Sequence, residues 1–106
     1  FLLGYVPTAS MEPALKTGSL LLGVRVWGDI QKGDIIVFRH NKEYLVKRVE
    51  AVEGDLIESN GENLVVPEGG FYVLGDNGQC SYDSRYWEYP FVMNDDIVAK
   101  VILPTR

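Results

Sequence analysis

A serine near the amino end and a lysine in an apolar run are the residues of this sequence best suited to covalent chemistry. Ser10 lies in the stretch PTASMEPAL, between small residues and a methionine. Lys47 lies in YLVKRV, a strand-like run in which Leu45 and Val49 would share its face of a sheet. Full burial can lower the pKa of a lysine from about 10.4 by roughly 3 to 5 units. A neutral amine of this kind is a suitable general base for a serine nucleophile.

Each of these candidates has competitors. His40 is the other possible base for Ser10, but it lies in the polar turn Arg39-His40-Asn41-Lys42, which favours an exposed turn histidine. Cys80 has no cation beside it in sequence to stabilise a thiolate, which favours a small, partly buried residue. Lys47 has its own structural alternative, a lysine at a sheet edge whose ammonium reaches water. Spacing alone does not decide whether Lys47 is a catalytic base or a lysine at a sheet edge.

Composition excludes several classes of function. The 106 residues carry a net charge of -5 and no basic run, which argues against nucleic acid as a partner. One cysteine and one histidine give neither a disulfide nor a zinc ligand set, so we expect no metal. We also expect no cofactor, because a serine nucleophile with a lysine base does not require one. No stretch approaches the roughly 18 apolar residues of a spanning helix. Because the chain starts at Phe1-Leu2-Leu3 without methionine, we expect a segment upstream.

Short runs of β-branched and aromatic residues between turn signals predict an all-β domain with little helix. The predicted strands are Ser19–Val26, Asp34–Phe38, Tyr44–Val52, Asp55–Glu58, Asn63–Val66, Phe71–Leu74 and Ile97–Leu103. Polar residues 39–42 and the Asn-Gly pair at 60–61 predict two hairpin turns. One short helical turn is expected over Met11–Lys16, behind Ser10. Together the elements predict a small antiparallel barrel or sandwich, with residues 1–106 as a single domain.

Four segments resemble, in order, the sequence boxes of bacterial type I signal peptidases. PTASMEPAL resembles the nucleophile box, KGDIIVF the strand box, YLVKRV with the later Gly54-Asp55 the general-base box, and GDNGQCSYDSRYW the last box. An S-M-x-P match alone would be weak, whereas the set spans most of the chain. Lysine rather than histidine at the base position indicates the bacterial branch. The last box distinguishes this family from self-cleaving repressors of the LexA type, which share the core fold.

The resemblance implies a mechanism and assigns roles to four residues. Ser10 Oγ would be the nucleophile and neutral Lys47 Nζ the general base, with an acyl-enzyme intermediate. Thr8 matches the residue whose hydroxyl, with the Ser10 N–H, forms the oxyanion hole. Ser81 matches the hydroxyl that orients the lysine. For Thr8 and Ser81, ordinary turn capping is the structural alternative.

The resemblance also implies supporting and substrate-binding residues. The charged residues expected to pair beside the site are Arg48, Asp76, Asp83 and Arg85, for which structural ion pairing is the favoured role. The residues expected to line shallow pockets for small side chains are Val6, Leu21 and Val46, which could equally belong to the core. The sequence departs from the family pattern at Ala9, Gly78 and Cys80 and has no large second domain, yet it retains the catalytic groups.

The implied substrates are signal peptides of exported preproteins, cleaved after small residues in an Ala-x-Ala-like pattern. An anchor helix upstream of Phe1 would hold the catalytic domain at the lipid surface, on the extracytoplasmic face of the bacterial cytoplasmic membrane. Two alternatives remain at this stage. One is a LexA-type Ser/Lys peptidase that cuts its own chain. The other is a catalytically silent relative that binds precursors during assembly.

Overall fold

Antiparallel strand pairing dominates the chain, as described by a computed structural model. The structure describes residues 2–5, 9–13, 15–18, 20–25, 29–59, 61–77 and 82–103. The strands are β1 (Leu2–Tyr5), β2 (Leu20–Val24), β3 (Ile35–His40), β4 (Glu43–Val52), β5 (Leu56–Ser59), β6 (Glu62–Val65), β7 (Gly70–Leu74), β8 (Val92–Met93) and β9 (Ile97–Leu103). Three short 3-10 turns lie at Ala9–Met11, Ser84–Tyr86 and Asn94–Asp96. The predicted all-β class is confirmed.

Seven strands form one sheet in the order β1-β2-β9-β3-β4-β7-β8, and β5 and β6 form a separate hairpin. Each strand of the described part pairs antiparallel with its neighbours. In this order β1 and β8 stand at the two ends of the sheet. The sequence did not predict either of these two strands. At four and two residues respectively, both are too short to show a clear hydrophobic period.

Alternation along β3 divides the core between two faces of the sheet. Ile36 and Phe38 belong to one buried cluster, while Ile35 and Val37 belong to another. The first cluster also contains Val49, Phe71, Val73, Trp87, Val92 and Ile97. The second contains Met11, Leu15 and Ala99. A third cluster, Ala51, Val66 and Tyr72, packs with Ile57 of β5 and so joins the hairpin to the sheet. The central strands are therefore buried on both sides.

The turn between β3 and β4 is shorter than the four residues predicted. Only Asn41 and Lys42 lie between the strands, with φ angles of 48° and 69°, as in a two-residue hairpin of the primed type. His40 is the last residue of β3 and is half-buried, with its ring stacked on Trp87 at 4.1 Å between centroids. The prediction of an exposed turn histidine is therefore wrong, because strand alternation directs His40 to the same face as Phe38.

The predicted helical turn over Met11–Lys16 is also wrong. The 3-10 turn covers Ala9–Met11 and so includes Ser10 rather than following it. Glu12 precedes a proline, which disfavours helical backbone at that residue, and the Glu12-Pro13 peptide is cis. Instead, the Glu12 carboxylate accepts hydrogen bonds from the Thr17 N–H and hydroxyl. Within the part of the chain that the structure describes, no helix is both long enough and apolar enough to cross a membrane.

Candidate active site

The side chains of Ser10 and Lys47, 37 residues apart in sequence, meet inside the protein. Lys47 Nζ lies 2.6 Å from Ser10 Oγ. Both residues are buried, each with 3% of its surface exposed. A distance of this size is within the range for direct proton transfer between a nucleophile and its base.

The position of Lys47 in β4 places its amine among apolar groups. Ile36 of β3 is its cross-strand partner, and Leu45 and Val49 share its face by alternation. Burial is the largest influence on this amine and lowers its pKa from the usual value. The nearby Asp83 carboxylate opposes that shift and raises the Lys47 pKa, while Arg85 adds to the lowering. The net pKa of Lys47 is lowered, which favours the neutral amine that a general base requires.

Ser10 is held by the segment that follows β7. Its carbonyl oxygen accepts a hydrogen bond from the Asn77 N–H at 2.7 Å. The next residue, Met11, is 1% exposed and belongs to the cluster containing Ile35 and Val37. Its sulfur accepts the Asp76 N–H at 3.4 Å. The nucleophile turn is therefore anchored by the core on one side and by residues 76 and 77 on the other.

Asp83 is the fully buried carboxylate of the site, with 0% of its surface exposed. One carboxylate oxygen, Oδ2, accepts the Gly75 N–H at 2.8 Å. Arg85 donates to both carboxylate oxygens, from Nε at 2.8 Å and from Nη2 at 2.8 Å. Beside it, the buried Ser84 hydroxyl accepts the Val73 N–H at 3.0 Å. Asp83 and Ser84 thus satisfy backbone donors at the end of β7, and this fixes the negative charge near Lys47.

A second ion pair lies on the other face of β4. Arg48 donates to both oxygens of the Asp76 carboxylate at 2.9 and 2.8 Å and to the Gly33 carbonyl at 2.7 Å. The hydrogen bonds to Asp76 raise the pKa of the Arg48 guanidinium. The Arg48 and Asp76 side chains are each about a quarter exposed. This pair joins β4 to the segment that holds Ser10.

With this geometry established, comparison with known proteins is informative. A family model described as "Signal peptidase, peptidase S26" matches residues 1–66 and 59–105, which together cover nearly the whole chain. The chain belongs to this family. Signal peptidase IB of Staphylococcus aureus strain Mu50 is 29% identical over 138 residues, which cover 87% of this chain and 71% of the relative. Signal peptidase I of Pseudomonas fluorescens is 26% identical over 161 residues, covering 85% and 56% respectively.

Both alignments are longer than the 106-residue chain, so these signal peptidases contain residues that have no counterpart in this sequence. Membership of the signal peptidase family accounts for the order of the four boxes in the sequence.

Three residues to which the signal peptidase resemblance assigns roles lie outside the described residues. These are Val6, Thr8 and Ser81. Cys80, considered above as a thiol, also lies outside them. For Leu21, the structure describes the backbone, which lies in β2 opposite Gly4 of β1. Val46 is described fully and packs against the cluster that contains Met11 and Leu15. Val46 is partly buried and lies beside the nucleophile turn.

His40 is too far along its strand to serve the nucleophile. Lys47 pairs with Ile36, and His40 lies four residues further along β3, a separation of about 13 Å at strand spacing. Its ring contacts Trp87 and Tyr82. The structure therefore assigns His40 to an aromatic cluster and not to a catalytic triad.

Sequence reasoning missed three residues that hold the site together, Met11, Asn77 and Ser84. Their contacts join segments 11 to 67 residues apart and involve backbone N–H or C=O groups. The type of a side chain gives no indication of such contacts, because nearly every residue has the same backbone groups. The only signal was their position inside the nucleophile and last boxes.

Proposed function

We propose that this member of the signal peptidase family is a serine endopeptidase that removes signal peptides from exported preproteins. Ser10 is the nucleophile and Lys47 the general base of a Ser/Lys dyad. The observation that carries the proposal is the 2.6 Å contact between Ser10 Oγ and Lys47 Nζ, which joins two buried residues. The lowered pKa of Lys47 supports it, because a protonated amine cannot accept the serine proton.

In the proposed first step, the Ser10 hydroxyl donates its proton to the neutral Lys47 amine as Oγ attacks the scissile carbonyl. The resulting ammonium then protonates the leaving amine, so the mature protein departs and the signal peptide remains as an ester on Ser10. Asp83 stabilises this transient ammonium, since it favours the charged form of Lys47. The Ser10 N–H and the Thr8 hydroxyl are the proposed oxyanion donors.

In the second step, the same amine accepts a proton from water, and the hydroxide attacks the ester carbonyl. The ammonium returns the proton to Ser10 Oγ as the ester bond breaks, and the signal peptide is released. Ser81 is the proposed orienting hydroxyl for Lys47. Every proton is exchanged between Ser10, Lys47, water and substrate, so the cycle needs no cofactor or metal ion.

The proposed specificity is for small side chains at the first and third residues before the cut. Val6, Leu21 and Val46 are the proposed pocket residues, because branched aliphatic side chains admit a methyl group and exclude larger groups by overlap. The names signal peptidase IB and signal peptidase I, carried by the relatives, support signal peptides as the substrate class. We also propose that the domain works at the extracytoplasmic surface of the bacterial cytoplasmic membrane.

The test is cleavage of a synthetic signal peptide with an Ala-x-Ala site, followed by mass spectrometry of the products. Ser10→Ala should lower kcat at least about 10⁴-fold. Lys47→Ala should lower it about 10²- to 10⁴-fold, the usual range for loss of a general base. His40→Ala is the matched control and should keep kcat within about twofold for the folded fraction.

Four outcomes would contradict the proposal. Activity that survives Lys47→Ala would remove lysine from the mechanism. Loss of activity in folded His40→Ala would favour a histidine base. Binding of the precursor without cleavage by the unaltered protein would favour a catalytically silent assembly factor, and cutting confined to the chain itself would favour a LexA-type peptidase.

A further inference from the structure

Three consecutive backbone N–H groups connect the parts of the site. Gly75 donates to the Asp83 carboxylate at 2.8 Å, Asp76 to the sulfur of Met11 at 3.4 Å, and Asn77 to the carbonyl of Ser10 at 2.7 Å. These residues directly follow β7, whose last residue, Leu74, pairs with Arg48 of β4. The segment therefore fixes both the nucleophile turn and the charge beside Lys47 relative to β4.

The middle contact is unusual because its acceptor is a thioether, which accepts hydrogen bonds weakly. Met11 is 1% exposed, so its sulfur is shielded from water and meets the N–H of Asp76, a residue that is itself exposed. The donor is also held firmly, since the Asp76 carboxylate pairs with Arg48 through two hydrogen bonds. Met11, which directly follows Ser10, is thus linked to Asp76. Asp76 in turn pairs with Arg48, the neighbour of Lys47.

We propose that Met11 is a positioning residue, whose sulfur, by accepting the Asp76 N–H, keeps Ser10 Oγ within hydrogen-bonding distance of Lys47 Nζ. The inference rests on the proposed function and deepens it. An apolar side chain of equal shape preserves the packing of Met11 in its cluster but gives the N–H no acceptor. The turn then loses this contact while it keeps the Asn77 contact and its packing in the core, and small displacements of a nucleophile lower the rate strongly.

The role of the Met11 sulfur can be tested by changing that one atom. The sequence contains two methionines, and the second, Met93, lies in β8 with its sulfur 3.7 Å from the exposed Tyr89 hydroxyl. In a Met93→Leu background, Met11 is replaced throughout by selenomethionine or by norleucine. Selenomethionine keeps a chalcogen acceptor, whereas norleucine replaces it by a methylene of similar shape. Both proteins otherwise have the same sequence.

Two readouts are compared between these proteins. Hydrogen exchange of the Asp76 N–H should be at least about tenfold faster in the norleucine protein, because its acceptor is missing. For cleavage of the signal-peptide substrate, kcat should fall about five- to tenfold while KM stays within about twofold, since substrate contacts are unaltered. The acidic limb of the pH–rate profile should stay in place, because neither the burial of Lys47 nor its charged neighbours change.

The inference is overturned if kcat of the norleucine protein stays within about twofold of the selenomethionine protein, whether or not exchange accelerates. It is also overturned if kcat falls while Asp76 exchange is unchanged, because the sulfur contact is then not the cause. If the selenomethionine protein itself cleaves no signal peptide, the proposed function fails separately. The exchange of Asp76 and Asn77 then decides alone: acceleration at both supports the positioning of the Ser10 turn, and unchanged rates overturn it.

Discussion

The corner that contains Ser10, Lys47 and Asp83 buries polar groups, whereas the β5–β6 hairpin exposes apolar ones. Each of the three corner residues has at most 3% of its surface exposed. In the hairpin, the cross-strand partners Leu56 and Val65 are 71% and 60% exposed. The two regions are parts of the same small fold, yet of the two only the corner buries charged groups. Among the described residues of the hairpin, the one buried polar residue is Ser59, at 7% exposed.

This difference distinguishes buried polar residues that belong to the candidate site from exposed apolar residues on the outer face of the hairpin. Burial of a polar group costs free energy unless its hydrogen bonds are satisfied, so the corner is stable only because its N–H and carboxylate groups are paired. The hairpin has no such constraint on its outer face, and its inner residue Ile57 packs with the Ala51, Val66 and Tyr72 cluster. Substitutions should therefore have opposite consequences in the two regions.

The largest expected effect comes from Asp83→Asn. This change removes the ion pair with Arg85, and because Arg85 is 35% exposed in its side chain we expect a loss of about 3 kcal/mol in the free energy of unfolding, the low end for buried pairs. It also removes the charge that raises the Lys47 pKa. The acidic limb of kcat/KM should therefore move to lower pH. Denaturant unfolding and a pH–rate profile measure the two effects, and a limb that moves upward would contradict the assignment.

A smaller effect, with the opposite sign for stability, is expected for Lys47→Met. The folded pKa of Lys47 lies below its unfolded value, so the unfolded chain binds the extra proton and the wild-type protein gains stability as pH rises. The Lys47→Met variant has no amine at this position, so it does not lose stability in this way at low pH. Its stability relative to wild type should be higher at pH 6 than near pH 11 by about 1 to 3 kcal/mol.

Lys32→Met is the matched control for this experiment. The Lys32 ammonium pairs with Asp55 at 3.1 Å, and its side chain is 60% exposed. Its replacement should change the free energy of unfolding by no more than about 1 kcal/mol. A difference between wild type and Lys47→Met that does not vary with pH would show that the Lys47 amine is well solvated.

The smallest effect is expected at the outer face of the hairpin. Val65→Thr should leave the free energy of unfolding within about 0.5 kcal/mol and leave kcat/KM unaltered. Val66→Thr, the same change at the next residue, should cost about 1 to 3 kcal/mol because Val66 is 1% exposed. Thermal unfolding of both variants provides the measurement. Equal losses would mean that the outer face is covered, and that the contrast with the corner is weaker than described.

Periodicity predicted the strands that position the site better than it predicted the site's connections. Ile97–Leu103 was predicted with the observed bounds, and the lysine strand differs by a single residue at its start. Alternation correctly assigned Leu45 and Val49 to the face of Lys47. These properties are local, since a two-residue period depends only on neighbours within one strand.

The contacts of the nucleophile turn were not predictable in the same way. The Met11 to Asp76 contact spans 65 residues and uses a backbone N–H, which is present at every non-proline residue. The helical turn expected after Ser10 was wrong because the proline at position 13 restricts Glu12. His40 was misjudged because the turn needed only two of the four polar residues. Residue chemistry and the strand pattern suggested Lys47 as the base for Ser10, and the family resemblance then supported a choice that spacing alone left open.

Titration of Lys47 in the folded protein tests the central claim most directly. With lysines labelled at the ε carbon, NMR spectra recorded from pH 5 to pH 11 follow each amine, and Lys47→Met identifies the signal. We expect the Lys47 amine to lose its proton at a pH clearly below the usual lysine value of about 10.4. A Lys47 signal that titrates near that usual value would contradict the account.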